Sequence, residues 1–133
     1  MKSVLLFLLL VPTISVSQKI SGEISGSITI SKELEKKLSA NGILYIFARK
    51  TGAAGGPPSA VLRIEKPKFP LTFSLSGANA MMPGTPFEGP FTIVARYSPT
   101  GDAIDKSGPQ GQDKRVDIKP GIKDVKIELT APK

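Results

Sequence analysis

The stretch KISGEISGSITIS, Lys19 to Ser31, carries the period that decides the fold class. Ile20, Ile24, Ile28 and Ile30 fall on even positions, whereas Ser21, Glu23, Ser25, Ser27, Thr29 and Ser31 fall on odd ones. Successive side chains of a strand point to opposite faces, so this alternation predicts a strand with one buried and one wet face. Gly22 and Gly26 lie on the apolar side, where a missing side chain marks a bulge or a close approach of backbone.

The same period recurs downstream. AVLRIEK (60–66) sets Leu62 and Ile64 against Arg63 and Glu65, and FPLTFSLSG (69–77) sets Phe69, Leu71, Phe73 and Leu75 against Thr72 and Ser74. FTIVARYS (91–98) sets Phe91, Ile93, Ala95 and Tyr97 against Val94 and Arg96, and KDVKIELT (123–130) turns Val125, Ile127 and Leu129 inward. ILYIFAR (43–49) is almost continuously apolar, as a strand buried on both faces would be, and RVDIK (115–119) reads as a short strand. Only SKELEKKLSANG (31–42) changes period. Ser31 is a cap, Glu33 and Glu35 suit a first turn, Leu34 and Leu38 are four apart, and Asn41-Gly42 suits a left-handed end. One or two helical turns near residues 32–38 are predicted there. No segment is long enough for a crossover helix. The expected fold is all-β, an antiparallel β-sandwich of about seven strands.

The chain has 133 residues, room for one domain. It opens MKSVLLFLLLVPTISVSQ: Lys2, an apolar run from Val4 to Val11, Pro12, then Ser15-Val16-Ser17 before Gln18. That is the layout of a cleaved signal peptide, residues 1–17, leaving 18–133 as a single β-sandwich domain, periplasmic or secreted. The apolar run is far shorter than the roughly 20 residues that span a bilayer, so the domain is not expected to span a membrane.

The side-chain inventory excludes much chemistry. Histidine and cysteine are both absent. The commonest general base, the commonest zinc ligand, the thiol nucleophile and the disulfide go with them. An enzyme is not expected, and no cofactor or metal. Glu88 has no partner carboxylate placed by sequence. Asp102, Asp105 and Asp113 share the polar loop 100–113 with Lys106, and Lys114 and Arg115 follow; their spacing is not that of an EF-hand calcium loop, and a solvated loop is the plainer reading. Met81 and Met82 are thioethers of the kind that suit Cu(I), yet the only other methionine is the initiator. Core filling or a contact surface is the reading that remains. The net charge of +7 is scattered in runs of two at most, without interleaved aromatics. No nucleic acid is expected, and contact with an anionic envelope surface fits the charge better.

Six features in order carry a family resemblance: Phe47-Ala48-Arg49, Gly56-Pro57-Pro58, Val61-Leu62-Arg63, Pro70-Leu71-Thr72-Phe73, Ala80-Met81-Met82-Pro83-Gly84, and Ala95-Arg96-Tyr97-Ser98 with Gly101. Across residues 20 to 130 the chain resembles the C-terminal periplasmic domain of cytochrome c-type biogenesis proteins of the CcmI/CycH group, in some genomes fused as CcmH. Ser76 and Gly77 stand where that family often has an acidic pair, and the loop after Arg96 diverges. The signal peptide implies a stand-alone exported domain without the family's membrane helices and repeat region. The resemblance implies a non-catalytic accessory module of cytochrome c maturation and haem attachment, with apocytochrome or a haem-maturation component as protein partner. The expected contacts are Gly56, Pro57, Pro58, Met81, Met82, Pro83 and Glu88, through backbone pairing and apolar packing. The alternative is a basic structural or envelope-surface β-domain without a maturation role.

Overall fold

The computed structural model describes residues 22–53, 55–82, 84 and 86–132. The signal segment 1–17, Ile20 and Pro83 lie outside the described residues. In chain order come β1 (Ile24–Ile30), α1 (Lys32–Glu35), β2 (Ile43–Lys50), β3 (Ala60–Glu65), β4 (Leu71–Leu75), a 3-10 turn (Gly77–Asn79), β5 (Phe91–Ser98), β6 (Gln110–Gln112) and β7 (Val125–Leu129). Two sheets result, of order β4-β1-β7 and β3-β2-β5-β6. The alternating stretches do form the strands of an all-β sandwich.

The inward residues of both sheets meet in one core. Ile24, Ile28, Phe73, Leu75, Val125, Ile127 and Leu129 face Leu44, Ile46, Ile93, Ala95 and Tyr97. Each large side chain taken from water there contributes about 1.5–3 kcal/mol before ordering costs. Register keeps apolar residues opposite one another: Ile24 pairs with Leu75 and Ile28 with Leu71, while Ile46 pairs with Ala95. β2 is buried on both faces, as its composition predicts. Its second face places Ile43, Tyr45 and Phe47 in a smaller cluster with Val61, Val94 and Ala103.

Four sequence expectations are corrected. The sandwich is not wholly antiparallel, because β1 runs parallel to β7, from Gly26 opposite Val125 to Ile30 opposite Leu129. A period of two is the same in either direction, so alternation cannot encode this. Gly26 does mark a close approach: a Cβ there would stand 2.1 Å from the Val125 carbonyl oxygen.

Arg115–Lys119 is not a strand. It makes a single bridge, Phe91 with Ile118, which buries Ile118 in the core. β6 instead forms in the stretch expected to be polar turn. Backbone rather than side chains holds it, since Gln112 pairs with Val94 and Gly111 with Ala95. Gln110 and Thr130 then exchange N–H···O bonds of 3.0 Å each way, joining the two sheets along one edge.

α1 starts as expected, with the Ser31 hydroxyl accepting the Leu34 N–H at 3.2 Å. It ends after one turn at Lys36, whose φ of −65° is right-handed, so the left-handed end expected at Asn41-Gly42 does not form. Gly42 is small for another reason: a Cβ would fall 2.2 Å from the Tyr97 ring. The Tyr97 hydroxyl passes over it and donates to the Ser39 carbonyl.

Candidate functional site

β2 ends, β3 begins and β5 begins at the same end of the sandwich. The turn from β2 to β3 bends through Gly52, Gly55 and Gly56, all with φ between 82° and 96°, a region that favours glycine. The segment after the 3-10 turn is fastened beside it. Ala80 bridges Ala60, and the Met81 N–H donates to the Ser59 carbonyl at 3.0 Å. On the other side of the turn, the Thr51 N–H donates to the Pro90 carbonyl at 3.0 Å. Gly56, Pro57, Pro58, Met81, Met82 and Glu88 therefore gather at one end, all exposed except half-buried Pro58. Pro83, the remaining residue of the expected contact set, lies outside the described residues.

Neither methionine fills the end of the core. Met81 is 51% exposed and Met82 67%. Phe87 takes that place, 7% exposed, with its ring stacked on Phe91 at 4.8 Å between centroids. Ser76 and Asn79 explain the outward path: the Ser76 hydroxyl accepts the Ala78 N–H at 3.1 Å, and the Asn79 side-chain oxygen accepts the Ser76 N–H at 2.9 Å. The capped turn delivers Met81 to the rim of β3, and among the described residues that follow the next buried one is Phe87, whose aromatic ring buries more apolar surface.

The three aspartates weighed for an ion have separate engagements. Asp105 accepts from the Ser107 hydroxyl at 2.7 Å, the Ser107 N–H at 2.9 Å and the Thr100 hydroxyl at 2.8 Å. These bonds, Ser107's first, hold its carboxyl at a pKa of about 2. Asp102 accepts the Ile104 N–H at 3.1 Å. Asp113 is buried and faces Arg115 and β7. Among the described residues no group of three or more carboxylates is arranged to hold a metal ion.

A second arrangement lies on the outer face of the four-stranded sheet. The Tyr45 and Phe47 rings stack at 6.1 Å, and the Tyr45 hydroxyl donates to the Gly101 carbonyl at 2.6 Å. Arg96 lies over the Phe47 ring at 5.1 Å and Arg49 at 6.0 Å. Arg49 donates to the Gly56 carbonyl at 3.1 Å; Arg96 donates to the Ala103 carbonyl at 3.0 Å and the Gln110 side-chain oxygen at 3.3 Å. Burial, and then the charge of Arg49, lower the Arg96 pKa from its ordinary value. Beside Arg96 runs an open groove of about 510 Å³ lined by Val94, Lys106, Gln110, Gln112 and Thr130.

Residues 24–129 match the family described as the cytochrome c-type biogenesis protein H Ig-like domain. The chain belongs to that family. As a CycH Ig-like domain it is 38% identical over 81 residues to the cytochrome c-type biogenesis protein CycH of Pseudomonas aeruginosa strain PAO1. The match covers 58% of this chain and 19% of that protein, so the chain spans about a fifth of that relative. The solved alternative pilotin of the type II secretion system of Vibrio cholerae is a looser likeness, with TM-score 0.48 and 13% identity over 81% of this chain and 96% of that one.

In this CycH Ig-like domain no helix among the described residues is long and apolar enough to cross a membrane. Sequence reasoning missed the arginine-flanked face. One signal was present: Tyr45, Phe47 and Arg49 share a face of β2 by period two. The approach of Arg96 from β5 depends on pairing, which the period does not contain.

Proposed function

We propose that this CycH Ig-like domain is a non-catalytic accessory module of cytochrome c maturation. It is exported behind a cleaved signal, residues 1–17, and holds a protein partner at the end of the sandwich carrying Gly56, Pro57, Pro58, Met81, Met82 and Glu88. Apocytochrome or another component of the maturation system is the partner, on the strength of family membership. One observation carries the location. The bond from the Met81 N–H to the Ser59 carbonyl sets two exposed methionines beside a Gly-Pro-Pro turn whose Gly56 and Pro57 are exposed. Methionine's flexible, polarizable side chain adapts to an apolar partner surface. The lack of histidine and cysteine fits a role without acid–base, thiol or histidine–haem chemistry.

Deleting the gene and measuring c-type cytochromes tests the reading, together with co-purification on a tagged full chain. A fall in mature cytochromes and capture of a maturation component are expected. Unchanged cytochrome levels would overturn it and favour the envelope-surface alternative, for which steeply salt-dependent binding to anionic lipid or polysaccharide is the sign.

A further inference from the structure

Arg49 and Arg96 enter from neighbouring strands and converge on the ring of Phe47. Two like charges drawn together, both half-buried, cost free energy that a nearby anion would offset. Among the described residues no carboxylate is paired with either one: the ion pairs there engage Arg63 and Arg115 instead. The ring quadrupole and the carbonyls of Gly56 and Ala103 hold the two guanidiniums in place while leaving donors over for a ligand.

The groove continues this surface. At about 510 Å³ it lies within the roughly 300–1,000 Å³ of ligand clefts, but it is open along its length. Lys106 is the one cation in its lining, Val94 contributes apolar surface, the exposed amides of Gln110 and Gln112 both donate and accept, and Arg96 borders it through its bond to Gln110. Two arginines over Phe47, with a lysine, an apolar side chain and amides in the adjoining groove, suit an extended chain with carboxylates alternating with apolar residues.

We infer that the outer face of β2 and β5, with the groove beside it, binds an extended acidic segment of a protein partner, its carboxylates pairing with Arg49 and Arg96. This rests on the reading of the domain as a protein-binding module, and it names the chemistry of one contact.

The experiment is fluorescence anisotropy of a short labelled peptide of alternating Glu and Val, titrated with the purified full chain. A Gln/Val peptide and vesicles of anionic phosphatidylglycerol serve as parallel probes. Binding of the Glu peptide alone is expected, weakened about tenfold by either Arg49→Gln or Arg96→Gln and unchanged by Lys123→Gln at an exposed position before β7. Arg96→Lys, which keeps the charge but loses the fork, should fall between, and thermal melts check that each variant folds. Equal binding of the Gln peptide, or indifference to both arginines, overturns the inference. Vesicle binding lost in the same two variants, without peptide binding, overturns it in favour of a lipid surface. Arginine-dependent peptide binding with unchanged cytochromes on deletion would sink the maturation role and leave the groove standing; the reverse pair of results would do the opposite.

Discussion

The buried carboxylate of Asp113 accepts the backbone N–H of Lys126 on β7 at 2.8 Å. The same carboxylate takes three bonds from Arg115, from its N–H at 2.9 Å, its Nε at 3.0 Å and a terminal nitrogen at 3.1 Å. Arg115 continues to Asp124 at 3.0 Å, so one side chain ties the segment after β6 to the start of β7.

This clasp predicts an acid-sensitive fold. Burial alone would raise the Asp113 pKa, but the bonds from Arg115 and Lys126 outweigh it and hold the carboxyl at about 2, below its ordinary 3.8. A depressed folded-state pKa means that the stabilisation is present above about pH 4 and is lost as pH falls toward 2. The linked contribution at neutral pH is about 2 kcal/mol. Asp113→Asn should lower the melting temperature at pH 7 and flatten its decline between pH 4 and 2. Exposed Asp105, held low by Ser107 and Thr100, leaves a residual slope. Thermal melts across that range check both points, and an unchanged pH profile would remove Asp113 from the account.

Phe87, not the methionine pair, should carry the stability of the segment between β4 and β5. Phe87→Ala removes a ring stacked at 4.8 Å on Phe91 and should cost about 3–5 kcal/mol. Met81→Ala and Met82→Ala, at exposed positions, should stay within about 0.5 kcal/mol of the parent. Urea unfolding of the three variants separates the two roles, and a loss in Met81→Ala or Met82→Ala comparable to that of Phe87→Ala would return the methionines to the core.

The join between the sheets should depend on Gly111. A Cβ there would sit 2.1 Å from the Glu128 carbonyl oxygen. Gly111→Ala should destabilise by about 1–3 kcal/mol and speed amide exchange at Gln110 and Thr130, whose mutual bonds form the join. Exchange measured by NMR checks whether the effect is confined to that edge.

Tyr45→Phe should loosen the loop after β5. The tyrosine hydroxyl holds the Gly101 carbonyl at 2.6 Å, two residues before the Ala103 carbonyl that receives Arg96. Its loss should cost about 1 kcal/mol and raise exchange across residues 100–105 while the core strands keep theirs.

How much of this was legible in the chain differs by element. Five alternating or continuous apolar stretches became β1, β2, β3, β4 and β5, and KDVKIELT became β7, because burying one face imposes the period that the sequence displays. QGQ carried no such signal, since β6 is held through backbone groups that every residue possesses. RVDIK looked like a strand because Val116 and Ile118 alternate, yet Ile118 alone enters the core and Val116 stays 49% exposed. At the candidate site, the sequence marked the two loops but not their neighbourhood. The Met81–Ser59 bond and the approach of Arg96 to Phe47 join residues far apart in the chain.

Composition and period by themselves determined that this chain is a β-domain without histidine or cysteine chemistry, because side-chain type and face alternation are local properties. Tertiary structure alone decided that β1 and β7 run parallel, that Phe87 and not Met81 or Met82 closes the core, and that Arg49 and Arg96 share one aromatic ring. Direction, depth and convergence arise when distant strands pair, and no window of sequence contains that pairing.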